Sequence, residues 1–512
     1  MKFTTRTGAV LARAGMGGFL CVLFGCAPQP DQGVNYQVLT PNYEKVYDPG
    51  EVRDITIQFT SEQWQVLQDF VDSSGPSGFD LDYIYTQADL IYEGQVWPSV
   101  GVRFKGNSSY SQFWEKKSFK INFEEYVEGN LFYGLKKLNL NNSFNDPSMM
   151  RECLAYSIFA EMGLPSSRCN YINLYIDIGD GKEAQLLGLY ANVEQVDVRF
   201  LRDRYGNQAS RGNLYKPEIG KSGRCSDLSC WTDGASEVDI QKRTNEEDGD
   251  YSDIKSFITL IQSLYNNGQS DASRIQSELS QVFNVDLFLR YLAVGNILTN
   301  WDSYPSMAHN YYIYNNPVNP ISSGKDYWEI IPWDLNQSFG GFTNGATADQ
   351  LIQWKWCSPG MSAPERMPIL VHLVMTVPEW REQYRQHIAN SVIAGGVFDP
   401  VETQTLAQSI FDLIDPYVRQ DGNLQCGSEG HNCFEDGFTT GNSSCFCRWS
   451  GPGQYSLSAS TRGSSGITSY IRDRVNFLKA NVQVVYNYPG DASQDCQWLR
   501  TGALGGGQQP PG

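Results

Sequence analysis

Alternation between polar and apolar residues predicts strands in the first part of the chain. The period of two that half-buried strands show occurs in five segments: 54–59, 97–104, 117–123, 171–176 and 187–193. Between them, apolar residues recur at helical spacing from Met149 to Met162, and Gly163 and Pro165 end that run. We therefore predict a β-rich lobe of antiparallel strands with one helix over residues 51–195.

Helical spacing of apolar residues dominates the second part of the chain. It predicts helices in five segments: 254–264, 285–298, 368–393, 401–418 and 467–480. Strand-like segments at 310–314 and 328–333 interrupt the pattern, and a Cys/Gly-rich insertion occupies 421–463. We predict an α+β fold of two lobes, in which the second lobe, residues 196–485, is mainly helical. The Gly/Pro/Gln-rich tail, residues 486–512, is predicted to be disordered.

The first residues resemble the signal of a bacterial lipoprotein. Basic residues precede a short apolar run at 14–24, and Cys26 follows a glycine. The run is shorter than the ~20 residues that span a bilayer. Such a signal, residues 1–25, is removed, a lipid is attached to Cys26, and residues 26–50 form a flexible tether. We therefore expect an exported protein, anchored by lipid to a membrane of the cell envelope; an ordinary secretory signal is the alternative.

The charge of the chain excludes one class of partner. The 512 residues include 39 Lys and Arg against 57 Asp and Glu, a net charge of −18. A nucleic-acid-binding protein needs a basic surface that displaces counterions from phosphates. We therefore expect no nucleic acid among its partners.

The cysteines indicate an oxidising compartment. Of twelve cysteines, ten remain after Cys21 and Cys26 are set aside, and an even number in an exported chain favours disulfides. Cys225 and Cys230 flank a short loop. A zinc site is the alternative in the insertion, where the possible ligands are Cys426, His431, Cys433 and Cys445. Their spacing matches no standard zinc pattern, so we favour disulfides there as well.

Two basic segments have the composition of a phosphate site. In the first, Lys105 precedes the turn Gly106, Asn107, Ser108 and Ser109. Glycine lets backbone N–H groups approach phosphate oxygens, and a cation offsets their charge. In the second, the alternation within 116–120 sends Lys120 to one face of a strand and Lys117 to the other. A surface hairpin would equally explain the first segment, and a lysine-protected edge strand the second.

Two aspartates lie beside tryptophans at the ends of apolar elements. Asp302 follows Trp301, Asp334 follows Trp333, and Asn310 lies between them in the sequence. A buried carboxylate must be paired, protonated or bound to metal. One Asp that accepts a proton, with an Asn and a second Asp as magnesium ligands, is a set that phosphoryl transfer uses. Caps of helices or turns are the alternative.

These segments, with others in the same order, resemble the CotH kinase family, named for spore coat protein H. The matching segments are 103–109, 116–120, 135–142, 150–152, 188–197, 213–216, 300–302, 309–312 and 331–334. The resemblance covers about residues 51–485. It implies an atypical, secreted protein-kinase-like fold that binds ATP and magnesium and phosphorylates serine or threonine of protein substrates. We expect a Ser-rich protein, and the chain itself, as substrates.

The resemblance also implies roles for the lysines and glutamates. Lys120, or alternatively Lys105, contacts the α- and β-phosphates beneath the loop 106–109. Glu152 then holds this lysine as an ion pair. Glu194 begins the connection between the lobes, near the adenine.

The catalytic residues that the resemblance implies depart from ordinary kinases in spacing. Asp302 is the base for the substrate hydroxyl, and Asn310 and Asp334 are the magnesium ligands. Seven residues separate Asp302 from Asn310, where ordinary kinases have four. Asp334 is followed by Leu-Asn rather than Phe-Gly.

Export and the use of ATP are difficult to reconcile, because a protein of the envelope meets little ATP. A non-catalytic binding protein or adhesin of the cell surface, which retains the fold without the chemistry, is therefore the alternative function.

Overall fold

Seven strands close into a barrel in the first part of the chain. They are β1 (Val52–Gln58), β2 (Thr86–Tyr92), β3 (Gln95–Lys105), β4 (Ser118–Asn122), β5 (Lys137–Asn141), β6 (Cys169–Asp177) and β7 (Gln185–Val193). Their order around the barrel is β1-β2-β3-β4-β5-β7-β6. The predicted strands are present, but β1 and β6 close the barrel as a parallel pair, so the expectation of antiparallel strands throughout was wrong at this position.

The computed structural model places the described residues in one compact unit. These residues are 41–75, 78, 81–112, 116–144, 146, 148–217, 225–231, 240–265, 271–322, 324–341, 368–421, 425–426, 431–432 and 466–482. The predicted signal 1–25 with Cys26, most of the tether 26–50, most of the insertion 421–463, and the tail 486–512 lie outside the described residues. The boundaries of the two predicted lobes stay a prediction.

Side-chain alternation fills the barrel with apolar residues and places polar residues outside. On β3 and β4, Val102, Phe104, Phe119 and Ile121 are buried in the barrel core. Arg103 of β3 pairs with Lys120 of β4, which in turn pairs with Asn139 of β5. Because residues directly opposite each other in a sheet share a face, the polar side chains of these three strands lie on one outer face of the barrel.

Three helices accompany the barrel: α1 (Tyr43–Tyr47), α2 (Ser61–Ser73) and α3 (Arg151–Glu161). Only α3 was predicted, so the expectation of one helix in this region was wrong. Helix α2 begins with a capping box, in which the Thr60 side chain accepts from the Gln63 N–H and the Gln63 side chain accepts from the Thr60 N–H. Most of α3 is buried, including Glu152.

The second part combines a small sheet with nine helices within the described ranges. The sheet has the order β11-β10-β8-β9, with β8 (Asn213–Pro217), β9 (Ile240–Lys242), β10 (Tyr311–Asn315) and β11 (Trp328–Pro332). The helices are α4 (Val198–Ala209), α5 (Ser252–Tyr265), α6 (Ala272–Leu279), α7 (Val285–Ile297), α8 (Tyr304–Met307), α9 (Ile369–Thr376), α10 (Pro378–Ser391), α11 (Pro400–Val418) and α12 (Ile467–Asn481). The α+β class is confirmed.

The helix predicted over 368–393 consists of two helices, α9 and α10. The break lies at Val377 and Pro378. Proline lacks the N–H that would continue α9 and favours the first turn of a new helix. Among all helices of the described segments, none is long and apolar enough to cross a membrane.

A buried ion pair ties the barrel to the helical part. Lys116, which precedes β4, bonds to Asp421 at the end of α11, and both side chains are fully buried. Asp421 Oδ2 also accepts from the Leu189 N–H of β7 at 3.1 Å. The neighbouring Gly188 has φ 126°, and a Cβ at this position would lie 2.2 Å from Asp421 Oδ2. This close contact requires glycine there.

The expectation of disulfides is confirmed at two places. Cys153 of α3 is joined to Cys169 of β6, and Cys225 is joined to Cys230. Of the alternative zinc ligands, Cys426 and His431 are paired residues in the short strands β12 (Gln425–Cys426) and β13 (His431–Asn432). Cys433 and Cys445 lie outside the described residues.

Replacing Cys153 and Cys169 together by alanine is expected to lower the free energy of unfolding by about 3 kcal/mol, because the unfolded chain loses a cross-link. This link joins residues 16 apart in the sequence. Denaturant unfolding without reductant measures the effect. The matched control is the Cys225→Ala/Cys230→Ala pair, whose link joins residues only 5 apart. A larger loss in the control than in the first pair would contradict the expectation.

Candidate functional site

The hairpin of β10 and β11 brings two of the predicted magnesium ligands to one end of the small sheet. Tyr311 pairs with Pro332 across the hairpin. Asn310, which precedes β10, and Asp334, which follows β11, therefore leave the sheet at the same end. Both have left-handed backbones, with φ of 55° and 56°. Residues other than glycine rarely adopt this conformation, and such strain is concentrated at functional sites.

Asp302 lies between α7 and α8 and is joined to Asn310. The Asn310 Nδ2 donates to Asp302 Oδ2 at 3.1 Å and to the Asp302 backbone oxygen at 2.9 Å. Because Nδ2 is used in this way, Oδ1 of Asn310 remains as an acceptor, and it has no protein partner within the described part of the chain. An amide oxygen of this kind is a ligand that magnesium accepts.

His309 holds the other oxygen of Asp302. His309 Nε2 lies 2.6 Å from Asp302 Oδ1, and His309 Nδ1 lies 3.1 Å from the backbone oxygen of Met307. Both partners present oxygen acceptors, and this arrangement favours the imidazolium form, in which both ring nitrogens donate. Burial lowers the pKa of His309, but the charge and hydrogen bond of Asp302, the hydrogen bond to Met307 and the charge of Asp334 together outweigh it, and the net shift is upward. The carboxylate of Asp302 is therefore oriented by two donors, His309 and Asn310.

Asp334 is half-buried where the hairpin meets helix α3. Its backbone N–H donates to the Tyr156 hydroxyl at 3.0 Å. Burial raises the pKa of the Asp334 carboxyl, and so does the negative charge of Asp302, whereas the charges of Lys105 and Lys216 lower it. Asp334 thus lies between a second carboxylate and two cations.

Lys105 and Glu152 are connected through Asn141. Lys105 Nζ donates to Asn141 Oδ1 at 2.8 Å and lies 5.8 Å from the centre of the Trp333 ring. Asn141 Nδ2 donates to both carboxylate oxygens of Glu152, at 2.9 and 3.0 Å. Burial lowers the pKa of Lys105 and raises the pKa of Glu152, because both charged forms lose water. An amide therefore stands where a direct Lys–Glu ion pair was expected.

Lys120 does not meet Glu152. Its Nζ donates to Gln195 Oε1 at 2.9 Å, and no carboxylate among the described residues bonds to it. The residue connected to Glu152 is thus Lys105, the alternative of the two predicted lysines, rather than Lys120. Burial lowers the pKa of Lys120 well below its ordinary value, and so do four surrounding cations. Together with Lys120 they form a basic cluster, which consists of Arg103, Lys105, Lys120, Lys137 and Lys216.

The turn 106–109 follows Lys105 directly. Gly106 has φ 118° and its carbonyl accepts from the Tyr83 hydroxyl. The carbonyl of Ser109 accepts from Asn142 Nδ2 at 3.2 Å. In the described chain the backbone N–H groups of residues 107–109 bond to no protein acceptor. The turn thus presents free donors at the end of the strand that carries Lys105.

The carboxylate of Glu194 is used within the protein. It pairs with Arg168 at 3.1 Å and with Arg204 at 2.9 Å, and its backbone N–H donates to the Arg168 carbonyl. Glu194 also lines a shallow pocket between β7 and α4, whose other lining residues are Tyr47, Leu135, Lys136, Lys137, Gln195, Asp197, Arg199 and Phe200. The carboxylate of Glu194 is thus already paired with two arginines, and its contact with the adenine stays a prediction.

Comparison with known proteins agrees with this arrangement. The family model described as CotH kinase protein matches residues 102–477. The chain belongs to the CotH kinase family. The inner spore coat protein H of Bacillus subtilis (strain 168) is 25% identical to it over 331 residues, which cover 63% of this chain and 80% of that protein. The family resemblance predicted from the sequence is confirmed.

Several residues of this CotH-family site had no role in the sequence analysis. His309, Asn141 and Lys216 lie within segments that matched the family, but their types alone did not indicate a role. Tyr156 lies four residues after Glu152 on α3, and this spacing places both on one helix face. That spacing was the only indication of Tyr156 in the sequence.

The oxygen ligands of the CotH-family site suit a magnesium ion that is bound jointly by the protein and a phosphate. Within the described ranges, no three His, Cys, Asp or Glu side chains form a group that would hold a metal by themselves. Magnesium is commonly bound by one or two carboxylates together with phosphate oxygens of the substrate. Asp334 and the free Oδ1 of Asn310 fit this kind of shared site.

Proposed function

We propose that the protein is a kinase that transfers the γ-phosphate of ATP to serine or threonine hydroxyls of protein substrates. The observation that carries the proposal is the proximity of Lys105 to Asp334, because Lys105 Nζ lies 5.8 Å from the ring centre of Trp333, the residue that precedes Asp334. Lys105 comes from the barrel and Asp334 from the hairpin, and each shifts the pKa of the other. A lysine for the phosphates and a metal-binding aspartate near it are parts that kinases use. Membership of the CotH kinase family supports the same reaction.

The basic cluster is the part that we assign to the phosphates. The other four side chains surround Lys120 with positive charge and, in the described chain, Lys120 itself has only an amide as partner. Like charges so close together repel each other, and a polyanion among them removes that repulsion. The free N–H groups of 107–109 would add neutral donors to the phosphate oxygens. The pocket beside Gln195 is where we place the adenine.

Asp334 and Asn310 are the residues that we assign to magnesium. When bound, the ion neutralises charge on the phosphates during transfer. Asp302 is the base that we assign to the substrate hydroxyl. The hydroxyl oxygen forms a bond to the γ-phosphorus, the bond from this phosphorus to the ADP oxygen breaks, and the hydroxyl proton passes to Asp302. His309 and Asn310 hold the Asp302 carboxylate in place for this step.

The Asp334→Asn variant is expected to lose kinase activity on the order of 100-fold or more, because it removes a charge that acts on the transferred group. Incorporation of labelled phosphate into a Ser-rich protein measures this loss, and isothermal titration of Mg-ATP measures binding. The matched control is Asp326→Asn, at the opposite end of the β10–β11 hairpin, where Asp326 accepts from Asn315.

Full activity of Asp334→Asn would contradict the assignment of the site. Binding of Mg-ATP by the wild-type protein without any transfer would favour the non-catalytic binding protein instead.

Binding of ATP at pH 8 is expected to take up protons. Burial and four cations lower the pKa of Lys120, so this amine loses its proton at a lower pH than an ordinary lysine does. A phosphate anion favours the charged amine and raises its pKa. Affinity for ATP should therefore fall as the pH rises. Titration calorimetry in buffers of different ionisation enthalpy measures the uptake, and Lys120→Met should reduce it; proton release by the wild-type protein would contradict the expectation.

We also propose that the mature protein is anchored to a membrane by a lipid on Cys26. The signal-like sequence before this residue supports the proposal. The Cys26→Ser variant should leave the membrane fraction of cells, because the thioether-linked lipid has no attachment point. Cys21→Ser is the matched control and should stay in that fraction. Unchanged partitioning of Cys26→Ser would contradict lipidation.

A further inference from the structure

We propose that Tyr156 is a positioning residue of this site, whose hydroxyl fixes the backbone of Asp334 so that the carboxylate is held for the metal. The inference rests on the proposed kinase function. Tyr156 does not touch a carboxylate of the site; it acts through the main chain of Asp334.

The backbone of Asp334 needs such a partner. Its φ of 56° lies in the left-handed region, which costs free energy for any residue with a Cβ. Its N–H points toward the buried Tyr156 side chain, where an N–H without an acceptor would cost free energy. The Tyr156 hydroxyl, at 3.0 Å, is its acceptor, and the Tyr156 side chain is 1% exposed. Without this bond, neither the strained conformation nor the buried N–H would be supported at that point.

Helix α3 contacts both the barrel side and the hairpin side of the site. Tyr156 follows Glu152 by four residues, so both lie on one face of α3. Glu152 orders Lys105 through Asn141, and Tyr156 orders Asp334. The helix is itself anchored, because Cys153 is bonded to Cys169 in β6 of the barrel. Lys105 and Asp334, which we assign to phosphate and metal, are thereby both positioned by helix α3.

The test compares Tyr156→Phe with a matched variant, Tyr314→Phe. Tyr314 is also fully buried, and its hydroxyl also accepts a backbone N–H, that of Gly212 at 3.1 Å. It lies four residues beyond Asn310, toward the opposite end of β10. Each substitution removes one hydroxyl and keeps the ring, so a general loss of stability affects both variants.

For Tyr156→Phe we expect kcat to fall by roughly tenfold and the magnesium concentration for half-maximal activity to rise by a similar factor, as for residues that orient a metal ligand. Binding of ATP in EDTA should stay unchanged, because the basic cluster is intact. Without any ligand, amide hydrogen exchange in the segment 331–338 should be faster than in the wild type. Tyr314→Phe should match the wild type in all these measurements.

Unaltered exchange and an unaltered magnesium requirement in Tyr156→Phe would overturn this inference while leaving the kinase intact. Loss of ATP binding in EDTA, equal to the loss with magnesium, would also overturn it, since the effect would then not pass through Asp334. A wild-type protein that binds no Mg-ATP would overturn the proposed function itself. A further measurement needs no variant: rapid exchange of the Asp334 amide in the wild type would show that the bond to Tyr156 does not hold.

Discussion

Lys105, Glu152 and Asp334 lie close enough together to shift one another's pKa. Burial favours the neutral form of each group, while the opposite charges nearby favour the ionised forms. The amide of Asn141 stands between the lysine and the glutamate and satisfies both. The pKa values of these groups therefore reflect opposing effects, and a charged ligand beside them would shift those values.

The barrel side and the hairpin side of the site are positioned in different ways. The outer face of the barrel is fixed by the strand register, which aligns Arg103, Lys120 and Asn139. The hairpin side is fixed by hydrogen bonds to residues in left-handed conformations, Asn310 and Asp334. Phosphoryl transfer depends mainly on placing charges correctly rather than on covalent chemistry by the protein. A site that consists of such fixed charges is suited to that task.

Local pattern was sufficient to predict the strands whose two faces differ and the helices that bury one face. It gave β3, β4 and α7 nearly at their observed bounds. It missed α2, in which only Leu67 is fully buried, although the capping box at Thr60 and Gln63 is visible in the sequence. Parallel closure of the barrel by β1 and β6 was also missed, because pairing between strands more than a hundred residues apart leaves no local pattern.

The choice between Lys105 and Lys120 shows where sequence reasoning ends. Both lysines lie on the same outer face of neighbouring strands, so periodicity treats them alike. Their roles differ because Asn141, from a third strand, connects Glu152 to Lys105, while Gln195 reaches Lys120. Such choices are decided by side chains that meet only after folding.

Closure of the barrel has a practical consequence for anyone who wishes to work with part of the chain. The family match begins at residue 102, inside β3. A fragment that starts there would lack β1, β2 and the first seven residues of β3, and the rest of β3 and β6 would become open edges with unpaired backbone groups. Such edges invite association with other chains, so a soluble fragment should include β1 and therefore start upstream of residue 52.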